Sequence, residues 1–177
     1  MAMIAIRRLT SADAVTFQAL RLEALATAVT EFTAAVEDEV SRTEADVVRV
    51  LADNTILGAF ADDRLVGSAA FAVSPRAKAR HKGRIWGVYV CPGHRRTGIA
   101  RRLAEAVIDH ASRVVERIDL SVTATNGPAL RLYESLGFEP YGLDVQAFRW
   151  QGQDHDKLLM TRSLVPRPAQ GSKNATN

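Results

Sequence analysis

Hydrophobic residues recur along this chain at two spacings, which separate predicted helices from predicted strands. Between residues 98 and 114 apolar positions return every three or four residues, with charged residues on the other arc, and this predicts an amphipathic helix. Ile118, Leu120 and Val122 alternate with polar residues, which is typical of a strand. The whole pattern predicts the order β-α-α-β-β-β-α-β-α-β-β, with strands at 4–9, 55–61, 65–74, 84–90, 118–122, 138–150 and 157–164 and helices at 14–25, 41–52, 98–114 and 127–136.

Turn residues divide these elements. Asp62-Asp63-Arg64 suits a tight turn between antiparallel strands, and Gly87 inside a strand predicts a bulge or a close backbone approach. Residues 27–39 show no clear periodicity, and residues 75–83 are predicted to form a surface loop. We therefore predict one domain over residues 1–165 and a polar, disordered tail over residues 166–177.

Composition narrows the class of protein. The chain has 177 residues, 23 of them basic and 20 acidic, so its net charge of +3 does not favour a nucleic-acid binder. It contains neither an apolar run long enough to span a membrane nor a secretory signal, so we expect a cytoplasmic protein without membrane contact. Cys91 is the only cysteine, which excludes an internal disulfide and a zinc site made of several thiolates.

A strand, a short turn and a helix follow one another in residues 88–100, and this stretch predicts an anion site. The first turn of a helix leaves backbone N–H groups unpaired, and Gly98 and Ala100 keep side chains away from them. An arginine run is also compatible with a solvated surface. Neither the lysine-bearing GxxxxGK[ST] loop nor a GxGxxG loop after a strand is present. The arginines of the stretch and its surroundings are Arg84, Arg95, Arg96, Arg101 and Arg102.

Residues 95–100, and residues 126–138 with Asn126, Tyr133 and Gly137, form two spaced motifs. These motifs resemble the two signatures of the GNAT acetyltransferase superfamily. Arg95-Arg96-Thr97-Gly98-Ile99-Ala100 is similar to R/Q-x-x-G-x-G/A, with Ala100 in place of the commoner Gly. Residues 126–138 are similar to N-x-x-A-x-x-x-Y-x-x-x-G-F. The resemblance implies an α/β fold with a central twisted mixed sheet, two splayed strands and helices on both faces. It also implies acetyl-CoA as cosubstrate and no metal.

The resemblance further implies roles for individual residues. Tyr133 would be the general acid that protonates the leaving thiolate, although its spacing alone would suit a core tyrosine. Asn126 would contact the arm of CoA or simply cap its helix. No carboxylate lies in 85–90, so the general base is unassigned, and Glu31, His81 and Asp144 are candidates by residue type only. The other residues expected to bind the cofactor are Val88, Tyr89, Val90, Arg95, Arg96, Thr97, Gly98, Ile99 and Ala100.

The predicted function is transfer of acetyl from acetyl-CoA to a primary amine of a small molecule or a protein, by direct attack in a ternary complex. Acidic residues in 26–40 and 150–156 favour a cationic acceptor. Cys91 is expected to be buried rather than to carry the acetyl group. The alternative is a non-catalytic CoA-binding regulatory module. An exposed closing strand could pair across the axis of a homodimer.

Overall fold

The computed structural model describes residues 3–165, so the predicted tail over 166–177 lies outside the described residues. No helix in the described range is long and apolar enough to cross a membrane. The helices are α1 (Ala14–Thr27), α2 (Val36–Glu39), α3 (Glu44–Asp53), α4 (Ile99–Ser112) and α5 (Gly127–Ser135). The strands are β1 (Ile4–Arg8), β2 (Thr55–Ala61), β3 (Arg64–Val73), β4 (Lys82–Val90), β5 (Arg117–Thr123), β6 (Glu139–Trp150) and β7 (Gln153–Ser163).

The seven strands form one sheet in the order β1-β2-β3-β4-β5-β7-β6. Every neighbouring pair is antiparallel except β4 and β5, which are parallel, so the predicted mixed sheet is confirmed. The β4–β5 ladder covers only Lys82–Arg84 against Arg117–Asp119. Beyond these residues the two strands pair with each other no further, and a cleft opens between them.

Helices pack on both faces of the sheet, as predicted. Strand residues alternate between two hydrophobic clusters, because successive side chains of a strand point to opposite faces. On one face, Leu103 and Val107 of α4 pack against Val66 and Ile118. The opposite face receives the apolar residues of α1 and α3.

Two local predictions are also confirmed. Asp62 and Asp63 both have positive φ, 46° and 66°, as a two-residue turn between antiparallel strands requires. In β4, Gly87 has a φ of +62°. The register shifts at this point, since Ser68 pairs with Tyr89 while Ala70 pairs with Trp86, so β4 carries a bulge.

Several details differ from the predictions, among them the start of α3 at Glu44 rather than at residue 41 and that of β4 at Lys82 rather than at residue 84. The unpatterned residues 27–39 include the one-turn helix α2, which is too short to show a periodicity and begins where the backbone N–H of Ala35 donates to the Asp38 carboxylate. Strand β7 begins at Gln153 rather than at residue 157, because polar cross-strand pairs such as Arg149 and Asp154 extend the ladder. Consequently the segment that separates the two closing strands is only a tight turn at Gln151 and Gly152, shorter than the predicted strands at 138–150 and 157–164 would leave.

Candidate active site between the splayed strands

A cleft of about 770 Å³ lies between β4 and β5 and reaches the beginning of α4 and the inner side of α5. Tyr133 lines it, and so do all the predicted cofactor-binding residues except Thr97. The Thr97 hydroxyl instead donates a hydrogen bond of 2.6 Å to the carbonyl oxygen of His94. The fold therefore brings together motifs that are separate in the chain.

The turn before α4 presents a run of unpaired backbone amides. The first hydrogen bond of the helix runs from the Arg102 N–H to the Gly98 carbonyl oxygen, at 3.0 Å. Within the described part of the chain, the N–H groups of residues 96–101 donate to no protein acceptor. Arg96 and Gly98 both have positive φ, 61° and 83°, which curves the turn so that its amides can converge on an anion.

The space and the donors of this turn fit a diphosphate. A Cβ placed on Gly98 would meet no atom within 4 Å, so the approach to the amides is open. The dipole of the 14-residue helix α4 adds about half a positive charge at this end. Beyond Arg84 and Asp119 the edges of β4 and β5 do not pair across the cleft, which leaves room for the amide-bearing arm of CoA.

Most of the nearby arginine side chains are already engaged. Arg95 donates to the carbonyl oxygen of Val90 at 2.9 Å, and Arg102 donates to that of Ile4 at 3.0 Å. Arg101 contacts Ser135 and Glu105. Among the described residues, the Arg96 side chain has neither a hydrogen-bond partner nor an ion pair. Arg96 is therefore the side chain of this group best placed to add charge to the anion site.

Tyr133 lies on α5, buried between the core and the cleft. Its ring packs edge-on against the Phe138 ring, with 5.7 Å between the ring centres. Tyr133 is thus both a core residue and part of the wall of the cleft. No described residue accepts or donates a hydrogen bond at its hydroxyl. Burial, and secondarily the negative charge of Glu31, raise the pKa of Tyr133 well above its usual value. The phenol is therefore protonated at neutral pH.

Asn126 fixes the start of α5. Its side-chain carbonyl accepts a hydrogen bond of 3.1 Å from the backbone N–H of Ala129, so its capping role is confirmed. Asn126 also lines the cleft. Its predicted contact with CoA stays a prediction.

The three candidates for the general base are separated by the fold. Glu31 lines the cleft and lies near enough for its charge to act on the Tyr133 phenol. Asp144 lines only a neighbouring cavity. His81 lines neither cavity, and its backbone carbonyl oxygen accepts hydrogen bonds from the backbone N–H groups of Glu116 and Arg117. Glu31 is thus the candidate that the cleft contains.

Cys91 is buried, as predicted. Burial, followed by contact with Glu23, raises the pKa of its thiol to about 11. A thiol with this pKa is protonated at neutral pH and is a poor nucleophile.

The cleft also contains residues that the sequence did not single out, notably Arg21, His94 and Lys157. Arg21 binds the buried Glu39 carboxylate at 2.9 Å, while its Nη1 is buried without a partner among the described residues. The Nδ1 atom of His94 is likewise buried without one. These residues come from α1, from the turn before α4 and from β7, and no local motif links them.

Four of the acidic residues in 26–40 and 150–156 are engaged by other groups of the protein, while the Glu31 and Glu37 side chains have no hydrogen bond or ion pair with a described residue. Glu39 binds Arg21 and Arg42, and Asp38 accepts from the N–H of Ala35. Asp154 pairs with Arg149, and Asp156 accepts from the backbone of residue 146. Their carboxylates therefore give no support to a cationic acceptor.

Comparison with known proteins places the chain in a family. The sequence model of the acetyltransferase (GNAT) family matches residues 22–138. The chain is 29% identical over 104 residues to the catalytic subunit of the N-terminal acetyltransferase B complex of Arabidopsis thaliana, a match covering 58% of each chain. It is 31% identical over 113 residues to streptothricin acetyltransferase of Streptomyces lavendulae, covering 63% of this chain and 58% of that one.

These matches span little more than half the length of the two relatives. The fold is also that of a Salmonella typhimurium protein solved with its cofactor acetyl-CoA, with a TM-score of 0.80 at 21% identity, over 97% of this chain and 99% of that one. The family match includes the turn before α4 and all of α5 with Tyr133. The chain therefore belongs to the GNAT family of acetyltransferases.

Proposed function

We propose that this protein transfers the acetyl group of acetyl-CoA to a primary amine, by direct attack in a ternary complex. The observation that carries the proposal is the run of unpaired amides at residues 96–101, which opens onto the same cleft as Tyr133. A diphosphate binder alone would not need a protonated phenol beside the bound group. An acetyltransferase needs both features.

Each part of the cleft has a task in this proposal. The amides of residues 96–101 and the Arg96 side chain hold the diphosphate, while the backbone of Val88–Val90 and Asn126 contact the arm of CoA. When bound, acetyl-CoA supplies the activated acetyl group as a thioester. The Tyr133 hydroxyl donates its proton to the sulfur that leaves.

The acceptor amine must lose a proton before it attacks. An alkylammonium has a reference pKa of about 10.4, so a group in the cleft has to accept that proton. We assign this task to the Glu31 carboxylate, directly or through a water molecule, because it is the sequence-predicted candidate that lines the cleft.

The names of the relatives include both protein and small-molecule acetyltransferases, so the acceptor is proposed only as a primary amine. The cytoplasmic location stays a prediction.

Release of free CoA thiol from acetyl-CoA tests the proposal. With a mixture of primary amines, we expect amine-dependent thiol release and a product heavier by one acetyl group. The binding module makes a different prediction, namely strong thermal stabilisation by CoA with no thiol release above the rate without amines. That result would exclude the transferase.

A homodimer is proposed through β6. This strand forms one edge of the sheet and exposes Tyr141, Leu143 and Val145, and an edge strand with exposed apolar residues favours pairing with another chain. Sedimentation equilibrium should give the mass of a dimer. A wild-type mass of one chain at micromolar concentration would contradict this.

A further inference from the structure

A second cavity of about 650 Å³ adjoins the cleft. The strand registers put Asp119 opposite both Arg84 and Thr161, and put Thr123 opposite Lys157. Paired residues share a face of the sheet, so these side chains all lie on the face that carries α1 rather than α4. The wall between the two cavities is formed by residues that line both, which are Thr33, Arg84, Leu120, Ser121 and Lys157.

Lys157 is an unusual member of this wall, because it is only 8% exposed. Its ammonium lies 5.5 Å from the centre of the Phe148 ring, yet it has no hydrogen bond and no ion pair with any described residue. A charge on a largely buried side chain is costly unless solvent or a ligand reaches it, and the Lys157 Nζ atom is not itself fully enclosed. Burial lowers the pKa of Lys157, Arg84 lowers it further, and Asp144 raises it. The field around the ammonium therefore includes a second cation on the same wall.

The carboxylates close to this wall do not neutralise the two cations. Asp119 already accepts hydrogen bonds from Arg117 at 2.8 Å and from Thr161 at 2.6 Å. Asp144 stands opposite Lys157 in the ladder but is exposed, and no ion pair joins the two. The Arg84 guanidinium has no hydrogen-bond partner either within residues 3–165. Both cations thus remain available to a ligand.

We propose that Arg84 and Lys157 form a subsite for an anionic group of the acceptor, so that the acceptor is an amine that also carries a carboxylate or a phosphate. This inference rests on the proposed function. Glu31 lines the same cleft with opposite charge and would bind the ammonium of the acceptor. The cleft therefore offers one anion for the amine and two cations for the acidic group.

Matched pairs of amines test the subsite by calorimetry on the CoA-saturated protein. L-phenylalanine is compared with phenethylamine, L-alanine with ethylamine, and phosphoethanolamine with ethanolamine, so that each pair differs in the anionic group. We expect at least one anionic member to bind about tenfold or more tightly than its partner, because hydrogen bonds between charged groups are stronger than those between neutral groups. The pair that shows the difference distinguishes a carboxylate from a phosphate.

Four variants show where the preference arises. The preference is the ratio of the two dissociation constants in a pair of amines. In Lys157→Met and Arg84→Met this ratio should fall towards one, with the CoA affinity unchanged. Lys82→Met is the matched control, since Lys82 lines the second cavity but not the cleft, and it should keep the preference. Thermal melts confirm folding, and Lys157→Arg, which keeps the charge, provides a second variant at that position.

Two results of the binding measurements would overturn the subsite. One is a wild-type preference near one in every pair, and the other is a preference that both methionine variants retain. Failure of the proposed function has a different signature. If anionic amines bind through Lys157 but none is acetylated, the subsite stands and the transferase is wrong. If neutral amines are acetylated as fast as anionic ones, the transferase stands and the subsite is wrong.

Discussion

The Nε atom of Arg95 donates a hydrogen bond of 2.9 Å to the carbonyl oxygen of Val90, and its guanidinium lies 5.5 Å from the centre of the Tyr89 ring. These contacts tie the turn before α4 to the end of β4. Arg95 therefore helps to fix the turn that carries the amides, while it also lines the cleft. Arg96, whose side chain is exposed and has no partner among the described residues, is the proposed source of positive charge beside those amides.

Gly98→Glu should remove CoA binding. The new carboxylate would face the diphosphate across open space, and like-charge juxtaposition costs several kcal/mol, so we expect the affinity for CoA to fall roughly 100-fold or more. Calorimetric titration with CoA measures the change.

Gly152→Glu is the matched control for this variant. Gly152 also has a positive φ, of 78°, and open space at its Cβ, but it lies in the β6–β7 turn. Both variants should lose about 1–2 kcal/mol of stability through backbone strain. Only Gly98→Glu should lose CoA, and equal CoA affinities in the two variants would contradict the assignment of the turn.

Tyr133→Phe should lower kcat by roughly 10²-fold or more while leaving the affinity for CoA unchanged, because a positioned general acid contributes about 10²–10⁴-fold. The substitution keeps the ring against Phe138, and no described residue loses a hydrogen bond. Steady-state kinetics and a CoA titration separate the two effects. Wild-type turnover in this variant would remove Tyr133 from the mechanism.

The alkaline side of the wild-type pH profile tests the same residue. The pKa of Tyr133 is raised in the folded state, so the phenol keeps its proton as the pH rises through neutral and mildly alkaline values. We therefore expect that Tyr133 stays protonated between pH 7 and 9, and that its ionisation does not lower kcat in this range. The stability contributed by the protonated phenol is lost only above its unfolded pKa of about 10.

The sequence predicts those parts of the site whose residues lie close together along the chain. The turn at residues 95–100 and the helix with Asn126 and Tyr133 are local motifs, and local backbone chemistry is readable from spacing. Arg21 and Lys157 reach the cleft only through helix packing and strand register. Single-sequence patterns do not specify such long-range neighbours.

Charge runs were misleading for the same reason. The acidic stretch 37–39 suggested a surface for cations, but Glu39 is buried against Arg21 of α1. The partner lies 18 residues away in sequence, on an element whose orientation the pattern does not give. Composition therefore indicates how many charged side chains the chain has, but not which of them are free to bind a ligand.

Glu39→Gln should destabilise the protein by about 3 kcal/mol, because removing one partner of a buried ion pair leaves the other charge uncompensated. Urea unfolding measures the loss. Glu37→Gln, on the exposed side of the same helix α2, is the control and should stay within about 0.5 kcal/mol of wild type. Similar unfolding midpoints for the two variants would show that the Arg21–Glu39 pair contributes little.

Cys91 should be inert to alkylation. With a pKa of about 11, roughly 0.1% of the thiol is ionised at pH 8, against about 24% for a free cysteine. Iodoacetamide should react at pH 8 at least about 100-fold more slowly with the native protein than with a cysteine peptide, and Cys91→Ala should keep its turnover. An acetylated Cys91 detected by mass spectrometry during turnover would refute direct transfer.

The most direct test of the proposed cofactor site is a crystal structure of the protein with bound CoA. We predict diphosphate oxygens within about 2.7–3.2 Å of backbone nitrogens in residues 96–101. A structure in which CoA binds elsewhere, or in which those amides face only solvent or protein, would contradict the account.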